Sequence, residues 1–386
     1  MPFLYSRKTW DVINCIIYTG LACFSLNILQ LFCAAELQSV GGRLKGHATD
    51  GNLHSNPILV TVASYATEGF CLLATAAAMR KFNVHVLGWQ LSSEEAFVVA
   101  RSKMTFLQEY FNSKETNGRN KKLYVVLDGY DVVVQGDPSK LLKSLIKIGI
   151  QKNPIVLFSG ESYCAPSFSW YGIPKSCNIF YPKPKHLLCR KKVPGQIANA
   201  GFLVEDVCSK DNLELEYHYA NIGMFTGTAR AIKDAINIHA KCIVTVDDMK
   251  DVSDQGVFHM LMKQYHIDAR VPNASSRAVV FMVDKHSTIF LNLCCPAQEK
   301  YDSNIIHLED DEIRIGLNRS KPTFLQWPGA TFDVPSYKTL KNALQKKHEK
   351  AKINVWKYVH PVGASNEQKR QWLASCMHPD ERNYTL

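Results

Sequence analysis

Asp128 and Asp131 are carboxylates two residues apart, and the chain before them gives that spacing its meaning. Leu123-Tyr124-Val125-Val126-Leu127 is an uncharged, largely apolar run; Gly129 follows, then a second apolar triplet, Val132 to Val134. Such a run reads as a strand buried on both faces, and the glycine marks a sharp turn where the chain leaves the sheet. The two carboxylates therefore fall at the carboxyl end of a central strand, where open α/β sheets place their ligand crevice. A paired-carboxylate corner there suits a hard divalent cation, Mn²⁺ or Mg²⁺, holding the diphosphate of a nucleotide sugar. Asp248 with Asp251, and Asp251 with Asp254, repeat the spacing but follow no buried strand, and they read as solvated turns. Only the first pair encloses an aromatic, Tyr130. Its ring either stacks on a base or joins the core with the hydroxyl at the rim.

Elements able to position that corner lie on both sides of it. Ile58 to Ala63 reads as a strand, Glu68 to Arg80 as an alanine-rich helix, Val84 to Gly88 as a second strand and Ser93 to Phe111 as a second helix. After the carboxylates, Asp137 is a helix N-cap, Pro138 the first helical residue and Gly149 the stop, with Leu141, Leu142, Leu145 and Ile146 at helical spacing. Ile155 to Phe158 supplies the next strand. Alternating strands and helices predict a parallel, doubly wound sheet. Between Gly160 and about Cys208 the rhythm breaks into a Pro-, Tyr- and Cys-rich insertion too long for a simple connector. Regular patterning resumes with a strand at Ile222 to Thr226, helices at Ala229 to Ala240 and Asp254 to Tyr265, and strands near Val279 to Val283 and Ile305 to Leu308. Neither a Gly-x-Gly-x-x-Gly nor a Walker A loop nor a Gly-x-Ser-x-Gly elbow is present. His348-Glu349 begins a zincin motif that fails at Lys352.

The 386 residues, 46% of them hydrophobic, can bury one large core or two modest ones. The net charge of +10 is spread out, and its densest part, Lys338 to Lys357, reads as a solvated helix face. No aromatic run accompanies it, so nucleic acid is not an expected partner. Val12 to Ala35 carries no charge and follows Arg7 and Lys8, which predicts a type II signal anchor; Cys33-Ala34-Ala35 leaves a cleaved signal peptide as the alternative. Either places the rest of the chain in the lumen of the endoplasmic reticulum or Golgi. The expected organisation is a cytoplasmic tip and anchor at 1–36, a stem at 37–56, a catalytic-type domain at 57–340 and a basic helical extension at 341–386. No Cys-x-x-Cys occurs, and Cys164, Cys177, Cys189 and Cys208 are the expected disulfide partners. Asn273, Asn318 and Asn383 stand in glycosylation sequons.

A series of short matches, in order from about Pro57 to Leu340, resembles the glycosyltransferase domain of the procollagen lysyl hydroxylases and the related procollagen galactosyltransferases. Leu59-Val60-Thr61-Val62-Ala63 with Glu68-Gly69-Phe70 resembles the family's opening strand and helix. Leu127-Asp128-Gly129-Tyr130-Asp131-Val132 resembles its metal motif. Leu157-Phe158-Ser159-Gly160-Glu161, Tyr219 to Gly227, Ser253-Asp254-Gln255 and Val283-Asp284 through Asn292-Leu293 are similar to its later segments. The resemblance implies an α/β, GT-A-like fold with a doubly wound, mostly parallel sheet and a loop-rich insertion. It implies Mn²⁺ (or Mg²⁺) and a UDP-sugar donor, UDP-glucose or UDP-galactose, whose hexose passes to a protein or glycan acceptor. Asp128 and Asp131 would hold the metal, Tyr130 and Thr61 would contact the nucleoside, and Asp254 would face sugar or acceptor. Asn221 is expected to hydrogen-bond the donor sugar and Lys103 to neutralise phosphate, each set against an ordinary structural reading as a turn residue or a solvated helical lysine. Two positions depart from the family. Gln326 stands where the family has its metal-binding histidine, making it a neutral oxygen ligand, and Ser253 replaces the acidic neighbour of Asp254. The first departure supports an alternative, a lumenal pseudoenzyme that binds a nucleotide sugar or glycan without turnover. Nothing after Leu340 resembles the hydroxylase domain.

Overall fold

The computed structural model describes residues 56–90, 96–113, 116, 119–161, 219–244, 254–265, 279–293, 306–309, 312–315, 321–328, 335–351 and 353–376. The first half alternates as its sequence predicts: β1 (Ile58–Val62), α1 (Glu68–Met79), β2 (Asn83–Leu87), α2 (Ala96–Asn112), β3 (Leu123–Asp128), β4 (Val132–Val134), α3 (Pro138–Ile148) and β5 (Ile155–Glu161). The second half contributes β6 (Tyr219–Thr228), α4 (Ala229–Val244), α5 (Asp254–Tyr265), β7 (Val280–Asp284), β8 (Phe290–Asn292), β9 (Ile306–Glu309), β10 (Glu312–Ile315), β11 (Phe324–Gln326), α6 (Pro335–Ala351), β12 (Val359–Pro361) and α7 (Asn366–Leu373).

Seven strands form the main sheet in the order β12-β2-β1-β3-β6-β5-β7, parallel except for β6, which runs against both of its neighbours. The fold is α/β with a mixed, mostly parallel sheet, consistent with a GT-A-like domain. Along β3 the side chains divide between two cores. Leu123, Val125 and Leu127 pack with α1, α3 and the three-stranded sheet β4-β11-β8, while Tyr124 and Val126 pack with α2, α4 and α5 on the other face. A continuous apolar run is what two-sided burial requires. Each such side chain contributes about 1.5–3 kcal/mol when buried, so packing from both faces fixes the strand.

Local signals set the helix ends. Asp137 caps α3 by accepting from the Lys140 amide at 3.0 Å, and Gly149 ends it in the left-handed conformation at φ 85°. Thr67 caps α1 by accepting from the Phe70 amide at 3.2 Å. Gly69, in the first turn of α1, is required by proximity, because a Cβ there would lie 2.0 Å from the Tyr130 carbonyl oxygen. β5 and β6 both run longer than their apolar cores, and a register shift between Phe158 and Ser159 brings Ser159 opposite Asn221.

The segment from 341 onward, expected as a basic helical extension, holds the rest of α6, β12 and α7. β12 pairs in parallel with β2 at one edge of the main sheet. A disulfide joins Cys71 on α1 to Cys376 just beyond α7. The expected partners Cys164, Cys177, Cys189 and Cys208 lie outside the described residues, as do the uncharged segment at 12–35, most of the 160–208 insertion and the three sequons. Among the described residues no helix is long and apolar enough to cross a membrane.

Candidate nucleotide-sugar site

Asp128 closes β3 in register with Val62 at the end of β1, so the carboxylate stands at the carboxyl edge of the sheet. The chain then turns through Gly129, whose Cβ would lie 2.7 Å from the Val62 carbonyl oxygen and 3.2 Å from Thr61 Oγ1. That close approach explains the glycine, and it returns the chain at once into β4 with Asp131 at the turn. β11 pairs antiparallel with β4, Gln326 opposite Val132, and the Trp327 amide donates to the Asp131 carbonyl at 3.0 Å. This pairing carries Gln326 across to the two carboxylates.

Gln326 is 1% exposed. Its Nε2 donates to Asp128 Oδ2 at 3.0 Å and lies 3.3 Å from each carboxylate oxygen of Asp131, so both acids converge on one point. Its Oε1 is buried without a partner among the described residues. Gly223 on β6 forms the floor: a Cβ there would sit 2.1 Å from Gln326 Nε2 and 2.6 Å from Asp128 Oδ2. Lys103 reaches in from α2, donating from Nζ to Asp128 Oδ1 and, at 2.9 Å, to the Ile222 carbonyl. It is 8% exposed, so its surroundings differ from those of a solvated helical lysine.

The electrostatics follow from putting four charges in little water. Desolvation and the neighbouring Asp128 charge hold the Asp131 carboxyl well above the usual carboxylate range, against the opposing Gln326 hydrogen bond and Lys103 charge. Burial alone would lower the Lys103 ammonium, but Asp128, Asp254 and Asp131 outweigh it and its pKa is raised. Burial, and then Asp128, raise Asp254, with Lys103 opposing. Asp254 Oδ1 also accepts from the Gln255 amide at 2.9 Å in the first turn of α5.

Beside this cluster lies a polar network that sequence reasoning missed. Glu161, the last residue of β5, is 2% exposed; it accepts from Asn221 Nδ2 and, at 3.4 Å, from Gln255 Nε2. Burial pushes its carboxyl up to about 8 despite those two hydrogen bonds. Asn221 Oδ1 in turn accepts from the Gly223 amide at 2.6 Å, tying the network to the floor under Gln326. The available signal was a glutamate ending an otherwise apolar strand.

Lys103, Asp128, Asp131, Asp254 and Gln326 thus share one charged cluster, with Asn221 adjoining it. Tyr130 faces elsewhere. Its hydroxyl accepts from the Ser64 amide at 2.9 Å, and its ring lies 5.6 Å from that of Tyr65, which is 45% exposed. Thr61 is fully buried below the Gly129 turn, and its Oγ1 has no partner among the described residues. Trp89 packs against the core and donates from Nε1 to the Val362 carbonyl at 2.8 Å. A cavity of about 330 Å³ is lined by Leu87, Trp89, Phe106, Tyr110 and Val362 and by neither carboxylate.

Comparison with known proteins falls on this frame. Residues 54–171 match the PLOD GT domain. The match runs from the start of β1 past the end of β5 and includes both carboxylates and Lys103. The Homo sapiens protein named "Multifunctional procollagen lysine hydroxylase and glycosyltransferase LH3" is 28% identical over 115 residues, 29% of this chain and 15% of that protein. Its Rattus norvegicus counterpart is 26% identical over 131 residues, 31% of this chain and 17% of its own length. The alignments thus span less than a fifth of these relatives. Residues 54–171 are thus similar to a glycosyltransferase domain of the PLOD type.

A divalent cation can be tested against this site on its donor set. Among the described residues no group of three or more His, Cys, Asp or Glu could hold a metal ion. The acids are two, and they already converge on one amide group whose oxygen is unpaired. Two carboxylates and an amide oxygen form an all-oxygen set, and hard cations that also bind a substrate's phosphates need no more from the protein. The residues fit.

Proposed function

We propose that this chain is a metal-dependent hexosyltransferase, moving glucose or galactose from a UDP-sugar to a hydroxyl of a protein or glycan acceptor in the secretory lumen. The observation that carries the reading is the convergence of Asp128, Asp131 and Gln326 on one point at the carboxyl end of β3, with the buried Lys103 ammonium against it. Asp128 and Asp131, with Gln326 Oε1 once the amide has turned its oxygen toward them, would hold Mn²⁺ or Mg²⁺, which when bound offsets charge on the departing diphosphate. To serve as a ligand, Asp131 must give up the proton its surroundings favour, so cation affinity rises with pH. Lys103, held by Asp128 and the Ile222 carbonyl, supplies fixed positive charge beside the phosphates without reorganising. Tyr130 and Tyr65 present two tilted rings for the uracil. Asn221 and Asp254 would orient the hexose or the acceptor hydroxyl, and Thr61 would support the nucleoside from beneath the Gly129 turn, where its hydroxyl has no partner among the described residues.

A second reading is favoured by one observation. Gln326 Nε2 stands between the two carboxylates, satisfying both without a cation, as expected of a pseudoenzyme that binds its ligand without turnover. A screen of nucleotide sugars for Mn²⁺-dependent release of UDP decides between the two. Calorimetry with UDP and Mn²⁺ tests what they share: binding to the wild type and at least about a tenfold loss, ~1.4 kcal/mol, in Asp131→Ala. Equal affinity in a correctly folded Asp131→Ala protein would remove the metal-site reading. The lumenal, type II placement is tested by protease protection in sealed microsomes, where digestion of the domain without detergent would exclude it.

A further inference from the structure

The loop between β1 and α1 is held from two sides at one residue. On the site side, the Ser64 amide donates to the Tyr130 hydroxyl at 2.9 Å, and Ser64 Oγ shares the same hydroxyl at 3.2 Å. On the far side, the Ser64 carbonyl accepts from Trp372 Nε1 at 3.3 Å. Two residues on, the Ala66 carbonyl accepts from Ser375 Oγ at 3.2 Å, and the Cys71–Cys376 bridge fastens α1 to the end of α7. The Trp372 ring meets Phe70 edge-on at 4.7 Å. α7 is itself well defined, begun by a capping box in which Ser365 and Gln368 satisfy each other's backbone amides. Every tie between the loop and α7 is thus made by residues of the segment beyond 365.

We propose that α7 is a positioning element of the nucleotide site: through Trp372, Ser375 and the Cys71–Cys376 bridge it fixes the Ser64–Thr67 loop, and through Ser64 the Tyr130 ring. The proposal rests on the reading that Tyr130 faces the nucleoside. Its physical basis is preorganisation. A strand-to-helix loop left untied must be ordered by the ligand at the ligand's expense, and ordering one residue's backbone corresponds to about a tenfold loss of affinity. The ties made by α7 place that cost in folding. Among the described residues Asp128, Asp131 and Gln326 make no hydrogen bond to α7, being set by β3, β4 and β11, so cation binding alone is independent of it.

Two variants of the full chain separate this from a general stabilising role. Trp372→Phe keeps an aromatic ring on Phe70 and removes the indole N–H, and Cys71→Ser with Cys376→Ser removes the bridge. For each, circular dichroism establishes folding, and amide hydrogen exchange is followed at residues 63–71 and 129–131. UDP is titrated calorimetrically with Mn²⁺ present, and Mn²⁺ is titrated alone. The expected result is faster exchange at Ser64–Thr67 and Tyr130, UDP affinity lowered about tenfold, and Mn²⁺ affinity unchanged. If the double serine variant does not fold, Trp372→Phe carries the test. Folded variants with wild-type exchange in both segments overturn the proposal, whatever their melting temperature. If the wild type binds no UDP, the nucleotide reading falls on its own. Exchange still decides the coupling, faster exchange supporting it and unchanged exchange overturning it.

Discussion

Replacing Glu161 by glutamine separates the pH dependence of a buried carboxyl from its packing. Burial pushes Glu161 up to about 8, against hydrogen bonds from Asn221 and Gln255, while the ordinary value for the unfolded chain is 4.5. Between those values the folded protein holds a proton that the unfolded chain has released. Stability therefore falls as pH rises, by at most about 1.4 kcal/mol per pH unit. Below 4.5 both states are protonated and the effect vanishes; above about 8 both are ionised and the loss is complete. From roughly pH 5.5 to 7.5 the accumulated loss is about 2–3 kcal/mol. Glutamine cannot titrate, but it keeps an acceptor for Asn221, so Glu161→Gln should gain about that much relative to wild type over the same range. Urea unfolding of both proteins at three pH values measures it, and the difference cancels every other titrating group. A difference that stays constant with pH would show that Glu161 is ionised in the fold and refute the reasoning.

Gly223→Ala places a methyl 2.1 Å from Gln326 Nε2 and 2.6 Å from Asp128 Oδ2, so the amide must leave the carboxylates. The expected cost is about 1–3 kcal/mol in urea unfolding together with a marked loss of Mn²⁺ affinity, and wild-type Mn²⁺ binding would show that the floor is not where the ions sit. Gln326→His replaces a neutral amide with an imidazole nitrogen, and at saturating UDP it should tighten Mn²⁺ roughly tenfold, ~1.4 kcal/mol. Superimposed titration curves for the two proteins would mean that position 326 does not face the metal.

What could be read in the sequence was what local physics decides. β3 announced itself because both of its faces are buried, and α3 because Asp137 and Gly149 satisfy its termini with their own atoms while Pro138 brings no amide that needs a partner. The Glu161–Asn221 contact was not legible, because it depends on a register shift between two antiparallel strands brought together from distant parts of the chain. Lys103 was open to two readings, a phosphate-neutralising residue or a solvated helical lysine; only the packing of α2 against the sheet reveals that its ammonium is buried against Asp128. β11 and β12 are three residues each, too short for any periodicity, and they exist because β4 and β2 offer them partners. No spacing rule could pair Cys71 with Cys376 across a separation of 305 residues.

That separation has a consequence in time. A ribosome extending the chain at about 5–20 residues per second leaves Cys71 waiting for about 15–60 s before Cys376 is made. Cys164, Cys177, Cys189, Cys208, Cys242, Cys294 and Cys295 are all synthesised in the interval, each a competing thiol for the first. The amino-terminal strand and helix must therefore pass through a period in which their correct covalent partner does not yet exist, and a nascent chain stopped short of α7 cannot finish the rim around Tyr130. Completion of that rim thereby waits on synthesis of α7 and Cys376, and its oxidative maturation depends on thiol exchange resolving whatever pairs formed first.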